Sequence, residues 1–166
     1  QRTDKYEEYS DQSRGYIESA DRWLADRADL VLYASTALYE EERSRKVKSL
    51  LVRHGVELSI FDRGEALKRG APPDLTNIKH PIVGFFGDIE DNTVDMDLIE
   101  TMARVIPDAS FVFVGRFTAT SNDISALPNV FLMGKKSYED VPGYGVQFDV
   151  AIMPWKQNRW IHYCNP

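Results

Sequence analysis

The sequence has almost no cysteine. Cys164 is the single one in 166 residues, so an internal disulfide is excluded and a reducing compartment is expected. It also lacks an excess of positive charge, with 20 basic residues against 26 acidic ones and a net charge of −6. Duplex nucleic acid needs a basic face to neutralise its phosphates, so it is excluded as the main partner. No apolar run approaches the roughly 20 residues of a membrane helix, and no signal peptide is recognisable. The three histidines, His54, His80 and His162, have no ligand spacing, and no metal site is expected. Neither a G-x-G-x-x-G turn nor a Walker lysine motif is present. A starting Met is missing as well: the chain opens on Gln1.

What is present is the composition of a folded α/β protein, 43% hydrophobic and 28% charged. Residues 13–28 place Tyr16, Ile17, Ala20, Trp23, Leu24 and Ala28 three or four apart, which predicts an amphipathic helix. DLVLYAS (29–35) reads as a strand, and Ser35 or Thr36 as the cap of a helix over TALYEEERSRKV. The basic stretch RSRKVK (43–48) follows EEE and reads as a solvated helix face of alternating charge rather than a lipid-contacting patch. SLLVRHGV (49–56) is a second strand of buried type, and strand–helix–strand with apolar strands indicates a parallel sheet.

Residues 62–81, with two glycines and three prolines, interrupt this rhythm and read as a linker or long surface connection. The rhythm then resumes. Strands are expected over IVGFFGD (82–88), ASFVFVG (109–115), NVFLMG (129–134) and FDVAIMP (148–154). A helix fits DMDLIETMARVIPD, with Met96, Ile99, Met102, Ala103 and Ile106 on one face. A short helix over 137–147 would be capped by Ser137 and limited by Pro142. Asp95-Met96-Asp97 is a D-x-D that reads as helix capping rather than as a metal or diphosphate ligand. In the order 3-2-1-4 the last strand would be a bare apolar edge, so more chain is expected beyond Pro166.

Ligands of such sheets lie beyond the carboxyl ends of the strands. The loops there carry Gly87-Asp88, Gly115-Arg116, Gly134-Lys135-Lys136 and Trp155-Lys156. Glycine allows close backbone approach, and Arg116, Lys135, Lys136 and Lys156 would neutralise a diphosphate; tight turns and solvated cations are the alternative.

The ordered run ADRADLVLYASTALYEEERS, LLVRHGVELSIFD, HPIVGFFGDI, ASFVFVGR, LPNVFLMGKKSYEDVPGYGVQFDVAIMPW and the closing NP resembles bacterial GT-B-type glycosyltransferases of the group 1 kind, from about Ile17 to Pro166. The resemblance implies Rossmann-like parallel sheets incomplete at both ends. Residues 1–61 would end an N-terminal domain, 62–81 would link, and 82–166 would begin a C-terminal donor-binding domain. It implies part of an enzyme that transfers a sugar from a nucleotide diphosphate sugar to a sugar or lipid-linked acceptor, in cell-surface or exopolysaccharide synthesis. A metal and a cofactor are not expected. The protein would work in the cytoplasm, with peripheral contact at the inner face of the membrane.

The family's roles map onto Gly87, facing the donor diphosphate, and onto Arg116 and Lys156 as phosphate partners. The main chain of Met133 and Gly134, with Lys135, would lie near the base, and Asn165 would reach toward the diphosphate or donor sugar. No catalytic residue is assigned. Many relatives carry Arg and Lys after the first strand of this domain, where this chain has Asp88, Glu90 and Asp91. The 166 residues alone are expected to be inactive. A nucleotide-sugar epimerase of the same fold, which would release free sugar, and a non-catalytic α/β binding module are the rival readings.

Overall fold

The computed structural model describes residues 5, 14–45, 47–120 and 123–164. The chain forms two compact units, Gln1–Gly55 with Lys156–Pro166, and Val56–Trp155.

In the first unit, α1 (Arg14–Arg27) precedes β1 (Val31–Tyr33), α2 (Thr36–Glu42) and β2 (Ser49–Leu51), and α6 (Arg159–Tyr163) returns to it. β1 and β2 pair in parallel, Val31 opposite Ser49 and Tyr33 opposite Leu51. The pairing is shorter than the apolar run suggests because Ser35 already caps α2, accepting from the Leu38 amide. Past Tyr33, whose carbonyl accepts from Val52 N–H at 2.8 Å, the partner strand has turned into a helix. Val31, Tyr33, Leu38 and Tyr163 form the core. Two polar contacts close this core: the Tyr33 hydroxyl donates to Glu42 at 2.9 Å, and Lys5 reaches Glu41 and lies over the Tyr163 ring. α1 departs from expectation. It fully buries only Ala25; of the expected stripe Ile17, Ala20 and Ala28 are half-buried, while Tyr16, Trp23 and Leu24 stand exposed.

The second unit holds α3 (Arg63–Lys68), β3 (Ile82–Phe86), α4 (Met96–Val105), β4 (Ser110–Val114), β5 (Val130–Gly134), α5 (Val141–Gly145) and β6 (Val150–Ala151). The strands are all parallel in the order β5-β4-β3-β6, the expected 3-2-1-4 arrangement. β4 is buried at all five positions because both faces of the sheet are covered. Alternation sends Phe111 and Phe113 to the face packed by Met96, Ile99 and Ala103 of α4. Val112 and Val114 face the opposite layer, with Leu75 and Tyr144. Gly84 belongs to that face too, and its missing side chain leaves room for the Phe148 ring. β6 lies at the sheet edge with Val150 exposed. Beside it the Asp149 carboxylate accepts from the Ile82 amide at 2.6 Å and lies 2.6 Å from His80 Nδ1. The Ile82 amide and then His80 hold that carboxyl below the usual range.

Residues 62–81 are not a plain linker. Asp62 caps α3, Leu75 enters the core from a 3-10 turn over Pro73–Leu75, and Arg69 donates to the Glu139 carbonyl at 3.1 Å. The prolines therefore shape an ordered covering layer. Pro142 likewise opens α5 instead of limiting it, since a first-turn residue needs no backbone donor. Ser137 makes a turn ahead of that helix, accepting from Asp140 N–H at 3.2 Å.

The same layer is fixed by Asp74, which accepts from the Tyr144 hydroxyl at 2.7 Å and from Lys136 at 2.8 Å. Partial burial pushes the Asp74 carboxyl up, but the hydrogen bonds from Lys136 and Tyr144 outweigh it and hold the group below the ordinary range. A carboxyl whose folded pKa lies below its unfolded value of about 3.9 adds stability above that value and loses it as pH falls through the folded pKa. Asp74→Asn is therefore expected to destabilise the protein by about 1 kcal/mol at pH 7, after discounting for solvent screening. Urea melts of both forms should converge as pH falls from 5 toward 2. A pH-independent difference would remove the electrostatic account.

Candidate functional site

Three loops meet at the carboxyl ends of β3, β4 and β5. The first two approach so closely that only glycine fits at position 115: a Cβ on Gly115 would fall 1.8 Å from the Gly87 carbonyl oxygen. Gly115 takes φ 154° and Gly87 φ 152°, both outside the range comfortable for other residues. The loops are laced together by backbone bonds. Gly87 N–H donates to the Val114 carbonyl at 2.9 Å, Gly115 N–H to Gly134 at 3.0 Å, and Ile89 N–H to Arg116 at 2.8 Å. These glycine amides are thus spent on the ladder. The Gly87 loop contributes its shape to the site while its own amide is engaged elsewhere.

Beyond these turns opens a cleft of about 240 Å³. Its lining includes Gly87, Asp88, Gly115, Arg116 and Lys135 together with an aromatic wall of Phe61, Phe86 and Tyr138. Gly87, Arg116 and Lys135 of the expected site are therefore brought together. Met133, expected to contribute its main chain, packs its side chain against the Val114–Tyr144 cluster, and Gly134, at φ 69°, offers its carbonyl to Gly115. Lys136 borders the cleft with its ammonium bound to Asp74, which holds it charged: the Asp74 hydrogen bond raises its pKa. Lys156 falls in the first unit, ahead of the Asn158 cap of α6, and Asn165 lies outside the described residues.

Charge at the cleft is more balanced than a count of cations suggests. Arg116 makes an ion pair with Asp88, both side chains being largely exposed. Asp91 accepts from the amide of Thr120 at 2.8 Å and from its hydroxyl at 3.0 Å, tying the first loop to the second. Asp88 and Asp91, which stand where many relatives carry basic residues, are thus held by partners within the loops. Asp95 caps α4, accepting from the Leu98 amide at 3.0 Å, and Asp97 lies in the first turn, as the capping reading of the D-x-D expects. Among the described residues no cluster of three or more His, Cys, Asp or Glu side chains is arranged for a metal ion.

A roomier concavity of about 300 Å³ lies between the Gly70–Pro73 turn and α5. It is lined by Glu139 and Asp140, and its one cation, Arg69, already donates to the Glu139 carbonyl. Carboxylates disfavour an anionic ligand there, so the strand-end cleft is the better candidate despite its smaller volume. The aromatic wall is what sequence reasoning missed. The doubled phenylalanine of GFFGD held the signal: alternation sends Phe85 into the core, which leaves Phe86 on the other side at the strand's end.

No protein-family model matches the chain. It is 32% identical over 157 residues to a Bacillus subtilis (strain 168) protein provisionally named teichuronic acid biosynthesis glycosyltransferase TuaH. That match covers 89% of this chain and 38% of TuaH. The fold resembles the crystal structure of Anabaena HepE in complex with UDP and glucose, at a TM-score of 0.62 and 16% identity. The likeness covers 90% of this chain and 44% of HepE. The chain thus spans about two fifths of the length of TuaH and of HepE. The sequence resembles a glycosyltransferase, as the motif run implied, and the fold is a Rossmann-like α/β fold of parallel sheets shared with HepE. No helix among the described residues is long and apolar enough to cross a membrane.

Proposed function

We propose that the complete protein is a glycosyltransferase using a nucleoside diphosphate sugar as donor, with the diphosphate seated beside Gly87, Arg116 and Lys135. The observation that carries this reading is the cleft itself: the Arg116 guanidinium and the Lys135 ammonium line it together with the strand-end glycines Gly87 and Gly115. TuaH, by its name, and HepE, by its bound UDP and glucose, support the donor class. A cell-surface polysaccharide acceptor and a place on the cytoplasmic side of the membrane belong to the same proposal. So do the roles of Met133, Gly134, Lys156 and Asn165, which rest on the motif run.

In the reaction the bond from the anomeric carbon to the diphosphate oxygen breaks while one to the acceptor oxygen forms. The proton of the acceptor hydroxyl passes to the departing diphosphate or to solvent, and negative charge grows on the diphosphate as it leaves. Arg116 and Lys135 would stabilise that charge, the guanidinium fork suiting phosphate oxygens. Calorimetry of the complete protein with UDP, GDP and ADP tests the reading. Micromolar to sub-millimolar binding of at least one nucleoside diphosphate is expected. Failure of all three at millimolar concentration overturns it.

A further inference from the structure

The donor reading leaves the aromatic wall of the cleft without a task. We infer that Phe61, Phe86 and Tyr138 seat the nucleobase of the donor, an inference that rests on that reading. The three rings come from separate segments: Phe61 just before α3, Phe86 at the end of β3, and Tyr138 between β5 and α5. Phe86 is 49% exposed and Tyr138 50%, an uncommon position for rings at the end of a buried sheet. Tyr138 stands edge-to-face with Phe61, the ring centroids 5.2 Å apart, so each fixes the other's position.

The same wall opens into a second recess of about 230 Å³, which shares Phe61, Phe86 and Val141 with the cleft. Its remaining lining includes Ala66, with a single methyl group, and Gly145, with no side chain, which leave width for a flat ring. The surface therefore grades from cations at Arg116 and Lys135 to rings at Phe61, Phe86 and Tyr138. An inorganic diphosphate uses only the first end, and a neutral sugar has little use for the cations. A nucleoside diphosphate has a charged group and a flat heteroaromatic ring at the spacing of one pentose, and it uses both ends.

The test is calorimetry on the complete protein with two probes, UDP and inorganic pyrophosphate. Removing a base-stacking ring should weaken binding about tenfold. Tyr138→Ala is thus expected to weaken UDP by that factor and to leave pyrophosphate unchanged, while Tyr138→Phe keeps wild-type affinity for both. Phe61→Leu, which keeps apolar volume without the ring, should show the same selective loss and serves if Tyr138→Ala folds poorly. Unchanged UDP affinity in Tyr138→Ala and Phe61→Leu, or equal loss for both probes, overturns the inference while the donor reading stands. If the wild-type protein binds no nucleoside diphosphate, the donor reading fails and the inference fails with it.

Discussion

Gly115→Ala will lower the melting temperature of the protein by about 10 °C or more, the largest effect expected from any single methyl group in the second unit. The added Cβ would sit 1.8 Å from the Gly87 carbonyl oxygen and 2.7 Å from its carbon. Both are backbone atoms, so no side chain can swing away. Relief requires moving the end of β3 away from β4, yet that junction is tied by the Gly87 bond to Val114 and the Ile89 bond to Arg116. Overpacking costs about 1–3 kcal/mol, and a residue forced to a sparsely populated backbone angle about as much again. For a unit of this size each kcal/mol shifts the melt by about 4–8 °C. Two companions separate the causes. Gly134→Ala, at φ 69° but with nothing within 4 Å, should lose only about 1–2 kcal/mol from backbone strain. Gly145→Ala, in α5 with open space, should be neutral or stabilising by up to about 1 kcal/mol. A Gly115→Ala melt that coincides with wild type would mean that the loops are not packed as described.

The second unit was readable from sequence because its signals are local and agree with one another. Each apolar run sits between a cap or a glycine and the next helix, and Asp95 and Gly115 mark their boundaries by side-chain chemistry alone. The observed strand order is the doubly wound 3-2-1-4 arrangement that right-handed crossovers permit. What stayed hidden depends on partners far away in the chain. Leu75 and Asp74 lie in a stretch rich in proline and glycine, and only their distant contacts with the β4 valines, Tyr144 and Lys136 turn that stretch into a structural layer. The same holds for Asp88 and Arg116, 28 residues apart, whose pairing no spacing rule reveals. In the first unit, the apolar stripe of α1 has the right period but not the expected burial, because periodicity reports a face and not what covers it.

Arg116→Ala is expected to weaken diphosphate binding by about 10- to 100-fold, the range for a hydrogen bond to a charged group. The Asp88 carboxylate is paired with Nη2 of that guanidinium, and a phosphate oxygen bound at the same nitrogen would replace it. Binding must therefore exchange one anion for another, and the cost depends on how strongly Asp88 holds. Both side chains are largely exposed, so the pair contributes at most about 1 kcal/mol and yields to a doubly charged phosphate. Asp88→Asn should accordingly tighten UDP binding, but by no more than about fivefold, with the gain shrinking as added salt screens the charges. If the two residues act through each other, Asp88→Asn will bring no gain once Arg116 is alanine, and the cycle will show a coupling equal to the gain seen in the single variant. Additive effects would mean that Asp88 acts on the ligand by its own repulsion. Undiminished binding in Arg116→Ala would remove the guanidinium from the site and, with it, the main reason for placing the diphosphate at this end of the sheet.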